Sequence, residues 1–276
     1  MGISQVPDVM DKRPISDLMG LEIRGLDLRE PLTERHVHEI TESLYRYGFL
    51  CFRDQNLGPA HLLAFGTRFG EPILHNEADL RLEATPHVLS LSNADGRDDR
   101  QLNGGAHWHT DLIHTEDPAS FTMLHAVAVP RQGGGTLFAN QVAAYDALPE
   151  LVRRDIEDKI VIHCYEGRTD GSMPTVRHRL VRRHPVTGRK ALYGAWDTGI
   201  GIVGMPADAG RRFLKDIARH ATSQPFVYLH SYSRNDVVIW DNAQTLHCAE
   251  KLERAQGPDD RRIMHRVSVR GWPGTS

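Results

Sequence analysis

Cysteine is scarce in this chain. The three present, Cys51, Cys164 and Cys248, are odd in number and form no C-x-x-C pair. A disulfide framework or a zinc ribbon is therefore not expected, and a reducing compartment fits. A basic excess is also missing. Lys and Arg total 33 against 36 Asp and Glu, a formal net charge of −3, which argues against nucleic acid as a partner. No apolar run approaches the roughly 20 residues of a membrane span. The opening stretch MGISQVPDVMDKRP has no apolar core for a signal peptide. Val6 stands where a myristoylation pattern needs Ser or Thr. These absences point to a cytoplasmic protein with no membrane partner.

What is present is ordinary for a globular chain: 276 residues, 40% hydrophobic and 25% charged. One domain over 1–276 is expected, with no internal repeat and no linker. Thr33 reads as the cap of a helix ending near Gly48, with Val37, Ile40, Leu44 and Tyr47 on its apolar stripe. Pro59 starts a second helix that stops before Gly70. Further helices are expected near 143–148, 151–158 and 207–220. Short strands are expected around 21–28, 49–52, 87–92, 121–129, 136–140, 160–165, 191–196, 226–232, 237–240 and 263–269. Residues 166–186 are polar, without periodicity, and read as a long loop. Tyr165, Arg168, Arg177 and His178 sit in or beside it, and it is a possible lid. Many short strands with a few helices make a β-sandwich or barrel core decorated with helices.

The chemistry centres on Trp108-His109-Thr110-Asp111. In extended backbone, residues i and i+2 leave the same face, so His109 and Asp111 aim at one spot. One distant histidine would complete a 2-His-1-carboxylate triad, the arrangement that holds non-haem Fe(II) with open positions. His247, shortly after the apolar run Val237-Val238-Ile239-Trp240, is the best candidate. A lone H-x-D among sixteen histidines is a weak signal; company strengthens it. An iron enzyme of this type commonly uses a 2-oxoacid, and a dicarboxylate needs a fixed cation for its far end. Arginine suits that task through bidentate bonding. In Arg261-Arg262-Ile263-Met264-His265-Arg266, the residues Arg262, Met264 and Arg266 share one face of a strand. Thr136, after the triple glycine 133–135, offers a hydroxyl to the same carboxylate. A solvated strand edge is the plain alternative for these arginines.

Taken together, several blocks resemble the TauD/TfdA family of Fe(II)/2-oxoglutarate-dependent dioxygenases. They are His109-Thr110-Asp111, Gly133 through Phe138, His184 through Tyr193, Trp240-Asp241-Asn242, and His247 through Arg266. The resemblance runs from about residue 15 to 271. It implies a mainly β fold with flanking helices and a double-stranded β-helix (jelly-roll) core. It implies Fe(II) on His109, Asp111 and His247, 2-oxoglutarate on Thr136 and Arg262, and O2 as co-substrate. It also implies Arg266 on the anionic group of a small organic substrate, with His75 beside it and Trp196 over it. Asn103, near the metal loop, joins the substrate candidates. The implied reaction is hydroxylation with release of succinate and CO2. The retained carboxylate of Asp111 favours hydroxylation over halogenation, and the assembly implied is a homo-oligomer, a dimer or tetramer. Ala78, Gly105 and Ala243 replace residues that the taurine enzyme or its relatives carry, which points away from taurine itself. Sulfonates or sulfate esters, aryloxyalkanoates and amino-acid derivatives remain open. Two other classes are a zinc-dependent hydrolase or isomerase on a jelly roll, and a non-catalytic binding protein. The pairing of Arg262 with Thr136 argues against the first, and the intact triad against the second.

Overall fold

Residues 10–94, 102–165, 169–196 and 198–273 are described by a computed structural model; Arg168 lies outside them. The strands are β1 (Asp11–Pro14), β2 (Leu21–Arg24), β3 (Phe49–Phe52), β4 (Glu71–Pro72), β5 (Arg81–Leu82), β6 (Thr85–Ser92), β7 (Phe121–Ala128), β8 (Thr136–Asn140) and β9 (Ile160–Cys164). They continue with β10 (Thr175–Arg179), β11 (Val181–Arg183), β12 (Lys190–Leu192), β13 (Gly199–Ile202), β14 (Val227–His230), β15 (Val237–Asp241), β16 (Thr245–Ala249) and β17 (Ile263–Arg270). The helices are α1 (Glu34–Tyr47), α2 (Pro59–Thr67), α3 (Gln141–Asp146), α4 (Glu150–Ile156) and α5 (Ala207–Ala221). None of the described helices is long and apolar enough to cross a membrane.

The major sheet runs β1-β2-β3-β15-β7-β17-β6-β5, with β4 also on β17, and a smaller sheet runs β14-β8-β16. Strand alternation explains how the major sheet serves two cores at once. On β15, Val237 and Ile239 face one apolar cluster, while Val238 and Trp240 face another. The split repeats on β3, where Leu50 and Phe52 oppose Phe49 and Cys51. It repeats on β17, where Val267 and Val269 oppose Met264.

The outer cluster takes the apolar stripes of α1 and α2, including Ile40, Leu44, Leu62 and Phe65. Thr33 caps α1 by accepting from the His36 amide at 3.1 Å, and Gly48 ends it at φ +79°. The inner cluster lies between the major sheet and β8. Phe49 on β3 stacks on Phe138 on β8 with centroids 4.5 Å apart. β3 and β15, between the two clusters, therefore bury both faces and read as apolar runs.

Several sequence expectations need correction. The loop expected over 166–186 contains β10 and β11. β10 reads Thr175-Val176-Arg177-His178-Arg179, and only Val176 and His178 are half-buried. A strand whose sheltered face holds one valine and one histidine shows no apolar alternation. His178 is tied down, its Nε2 lying 2.9 Å from the Thr115 carbonyl oxygen. The strand expected over 191–196 is only Lys190–Leu192, because the chain turns at Gly194 with φ +88°. β1 and β16 were not expected. Thr245–Ala249 follows β15 so closely that the two merge into one motif by eye, although it pairs with β8.

Candidate metal centre

The metal loop is bolted to β16 by a single antiparallel bridge. The His109 amide donates to the His247 carbonyl oxygen at 3.0 Å, and the His247 amide returns the bond at 3.1 Å. This exchange sets the two histidines side by side. Their rings lie 4.1 Å apart, centroid to centroid. Asp111 completes the group: Oδ1 is 3.9 Å from His109 Nε2, and Oδ2 is 3.6 Å from His247 Nε2. One ligand atom from each of the three falls within 4.8 Å of the others.

The turn between β15 and β16 holds this arrangement. Asn242 Oδ1 accepts from the Trp240 indole at 3.2 Å and from the Asp111 amide at 3.4 Å. Its Nδ2 donates to Thr122 Oγ1 at 3.1 Å, and that hydroxyl donates to Asp111 Oδ2 at 2.6 Å. Asp241 accepts from Gln244 Nε2 at 2.7 Å and pairs with His184 Nε2 at 2.9 Å. The motifs Trp240-Asp241-Asn242 and His184-Pro185 thus meet as one brace behind the ligands. Leu112, directly after Asp111, has φ +58°, so the chain leaves the ligand through left-handed backbone that β-carbons resist.

The donor set fits Fe(II). His109 Nδ1 lies 2.8 Å from the His107 carbonyl oxygen. A carbonyl only accepts, so Nδ1 carries the proton and Nε2 keeps its lone pair toward Asp111. Burial, helped by the field of His247, lowers the His109 pKa to about 3, so the ring is neutral, as a ligand must be. Burial pushes the Asp111 carboxyl up. The charge of Arg266 and the His247 ring outweigh this and hold it well below the usual carboxylate range. Two imidazoles and one carboxylate are the set that non-haem Fe(II) takes.

Arg262 lies just before β17, 7% exposed. Its Nε donates to the Gly134 carbonyl oxygen at 2.8 Å. Gly134 has φ +75°, and a β-carbon there would come within 3.1 Å of the Arg262 stem, so the triple glycine lets the arginine pass. Thr136 Oγ1 lies 3.0 Å from Tyr232 Oη, and the Arg262 guanidinium sits 5.9 Å from the centre of that ring. Among the described residues no carboxylate lies in bonding contact with Arg262, though the charge of Glu250 is felt there. Tyr232 and Thr122 were missed by sequence reasoning, since neither lies in a spaced motif.

The four substrate candidates separate. Arg266 reaches the centre, its Nη2 donating to Asp111 Oδ1 at 2.6 Å. His75 is buried, with Nε2 unpartnered. Burial, then the nearby charge of Arg266, lowers its pKa to about 3 despite the opposing pull of Asp111. The other two are corrections. Asn103 donates to the Leu252 carbonyl oxygen at 3.1 Å and accepts from the Leu252 amide at 2.9 Å. Both ends of its amide are committed, so it staples two loops. Trp196 is buried in an apolar cluster with Leu180, Leu192 and Ile202, with its indole N–H unpartnered. Cys248, next to His247, is half-buried.

By class, the chain is an Fe(II)- and 2-oxoglutarate-dependent dioxygenase that uses O2. It belongs to the TauD/TfdA family: the family profile "Taurine catabolism dioxygenase TauD, TfdA family" matches residues 11–268. It is 32% identical over 266 residues to the alpha-ketoglutarate-dependent 2,4-dichlorophenoxyacetate dioxygenase of Cupriavidus pinatubonensis, covering 87% of this chain and 92% of that one. It is 29% identical to the alpha-ketoglutarate-dependent sulfate ester dioxygenase of Pseudomonas putida, covering 95% and 90%. Among solved structures it is similar to AAD-2 in complex with Mn(II) and N-oxalylglycine. There the TM-score is 0.79 at 32% identity, over 97% of this chain and 100% of that one. The zinc hydrolase or isomerase alternative finds no support among these relatives.

Proposed function

We propose that the chain is a single jelly-roll domain in which His109, Asp111 and His247 hold Fe(II), and Arg262 with Thr136 holds the far carboxylate of 2-oxoglutarate. Its substrate is a small organic anion, an aryloxyalkanoate or a sulfate ester or sulfonate, in keeping with the relatives that act on such compounds. Bound iron, 2-oxoglutarate and O2 together supply the oxidant that places a hydroxyl on a substrate C–H, leaving succinate and CO2. Where the hydroxylated carbon also carries O, N or S, the product collapses to a carbonyl and sheds that group.

The protein's own part is positioning. His109 and His247 are set by their shared bridge, and Asp111 by Thr122. Arg262 is fixed by Gly134 before any co-substrate arrives, and Tyr232 directs a hydroxyl toward Thr136. Arg266 is the anion clamp for substrate. Its guanidinium trades part of its bond with Asp111 for the substrate's acid group, which brings the target C–H toward the metal. His75, kept neutral, offers hydrogen bonds to that group without adding charge. We further propose a homodimer or homotetramer, which light scattering would test.

The observation that carries the reading is Arg262, a buried cation with no carboxylate partner among the described residues, lying beside two hydroxyls. A buried charge is costly unless something compensates it, and a dicarboxylate does. The test is anaerobic addition of Fe(II) with 2-oxoglutarate, following the weak visible charge-transfer band of the chelate. The band is expected in the wild type, weakened in Arg262→Ala and lost in His247→Ala. Succinate release from anionic substrates would then define the class. A folded, iron-loaded protein with no band would sink the proposal.

A further inference from the structure

We propose a second metal site, formed by Cys51, His230 and Asp236, that takes a thiophilic divalent cation such as Zn2+. Cys51 lies on β3, His230 ends β14, and Asp236 precedes β15, so two sheets supply the ligands. One ligand atom from each falls within 4.8 Å of the others. All three side chains are buried, at 0%, 1% and 1% exposure.

Two of the ligand groups carry unsatisfied atoms: Asp236 Oδ1 and His230 Nε2 have no hydrogen-bond partner. The other carboxylate oxygen of Asp236 is fully used, by Arg53 at 2.6 Å and the Ser233 amide at 2.7 Å. The carboxylate is thus held in place through one oxygen, with the other left free. Buried polar atoms normally find a partner, so two orphans in one buried group with a thiol ask for an occupant.

Thiolate, imidazole and carboxylate together are a donor set for zinc, with ligands roughly 3.5 Å apart around a tetrahedral ion. Modest side-chain rotation closes the difference. Charge balances as well. Arg53 bridges Glu22 at 2.8 Å and Asp236 at 2.6 Å. A divalent cation is offset by its two anionic donors, Asp236 and ionised Cys51, while Arg53 and Arg24 share Glu22. Burial raises the Cys51 thiol above its ordinary range, so without a cation it is inert. Burial, helped by Arg53, lowers His230 to about 4, which leaves it neutral and able to ligate. The site is separate from the iron triad. Tyr232, whose ring lies 4.8 Å from that of His230, stands between it and Thr136. Access is past Arg53, whose side chain is 22% exposed.

Cobalt(II) tests this on the full chain, because only this site places a thiol among its ligands. Anaerobic Co2+ titration of chelator-treated protein should show about two equivalents bound and a near-ultraviolet thiolate-to-cobalt charge-transfer band. His247→Ala should lose one equivalent and keep the band. Cys51→Ser should lose the other equivalent and the band together, while Cys164→Ser and Cys248→Ser keep both. Should Cys51→Ser fail to fold, zinc-edge X-ray absorption on His247→Ala loaded with Zn2+ decides, with one sulfur expected at about 2.3 Å. A single equivalent without a thiolate band, or a zinc shell of nitrogen and oxygen only, would overturn the proposal and leave a buried hydrogen-bond cluster.

Discussion

Arg262, just before β17, and Arg266, within it, stand four residues apart, yet their surroundings differ. Arg262 is held by a backbone carbonyl, is shielded from water and meets no carboxylate among the described residues. Arg266 is 19% exposed at its side chain and already bonded to Asp111. The first is a cation fixed in advance for one dianion. The second is a cation with an alternative partner. On the proposed reading, an incoming substrate would compete with Asp111 for Arg266, so its acid group would be bound less tightly and could be released. Preorganisation at one arginine and exchange at the other follow from what surrounds each guanidinium.

The harshest way to break this contrast is Asp111→Asn. It removes the carboxylate ligand and also leaves Arg266 without its anion, so the two arginines become alike. Loss of an outer-shell partner typically costs about 10- to 100-fold in metal affinity, and loss of a ligand should cost more. Iron binding by titration should weaken by more than about a hundredfold, and succinate formation should fall to background. Retained iron binding would mean that Asp111 is not a ligand.

Arg262→Ala comes next. Removing one partner of a buried charge pair costs about 2–5 kcal/mol. The KM for 2-oxoglutarate should rise by about a hundredfold, with iron affinity unchanged. Arg262→Lys should recover only part of this, because a lysine cannot donate to Gly134 and a carboxylate in the same plane. Arg266→Ala should act on the other arm. The KM for an anionic substrate should rise by about tenfold or more, since its site is wetter and its ion pair better screened. The KM for 2-oxoglutarate should hold steady. If both variants raised the same KM, the division between the two arginines would be wrong.

How much of this was legible in the sequence depends on distance along the chain. His109 and Asp111 are two residues apart, and local extended geometry is enough to bring them together. The stripe of α1, with Val37, Ile40 and Leu44, was equally plain. Arg262 and Thr136 were singled out because a dicarboxylate demands a cation and a donor. Tyr232 was not found, since its role exists only once β14 lies beside β8. Thr122 was hidden inside an apolar strand, where a hydroxyl looks like a β-branched filler. Trp196 and Asn103 failed in the opposite direction. A core tryptophan and a loop-stapling asparagine carry the same letters as substrate contacts, and only their partners tell them apart. β10 stayed hidden because its sheltered face is half-wet and carries a histidine.

The smallest effect is a pH dependence that sharpens the environment of Arg266. His75 has an ordinary pKa of 6.5 that burial, and then Arg266, lower to about 3 in the folded chain. The unfolded chain therefore binds a proton here that the folded chain refuses. Stability rises with pH across that window; it is fully present above pH 6.5 and is lost as pH falls toward 3. His75→Gln, which keeps a donor and acceptor but cannot titrate, should flatten that part of the curve. In chelator-treated protein the gap between wild type and variant should narrow by about 2 kcal/mol between pH 7 and pH 4, measured by urea unfolding. Arg266→Ala should reduce the same slope, because it removes the charge that disfavours protonating the ring. A slope unchanged in both variants would assign the acid sensitivity to the other buried histidines, such as His163, whose pKa burial lowers to about 3 well away from the substrate arginine.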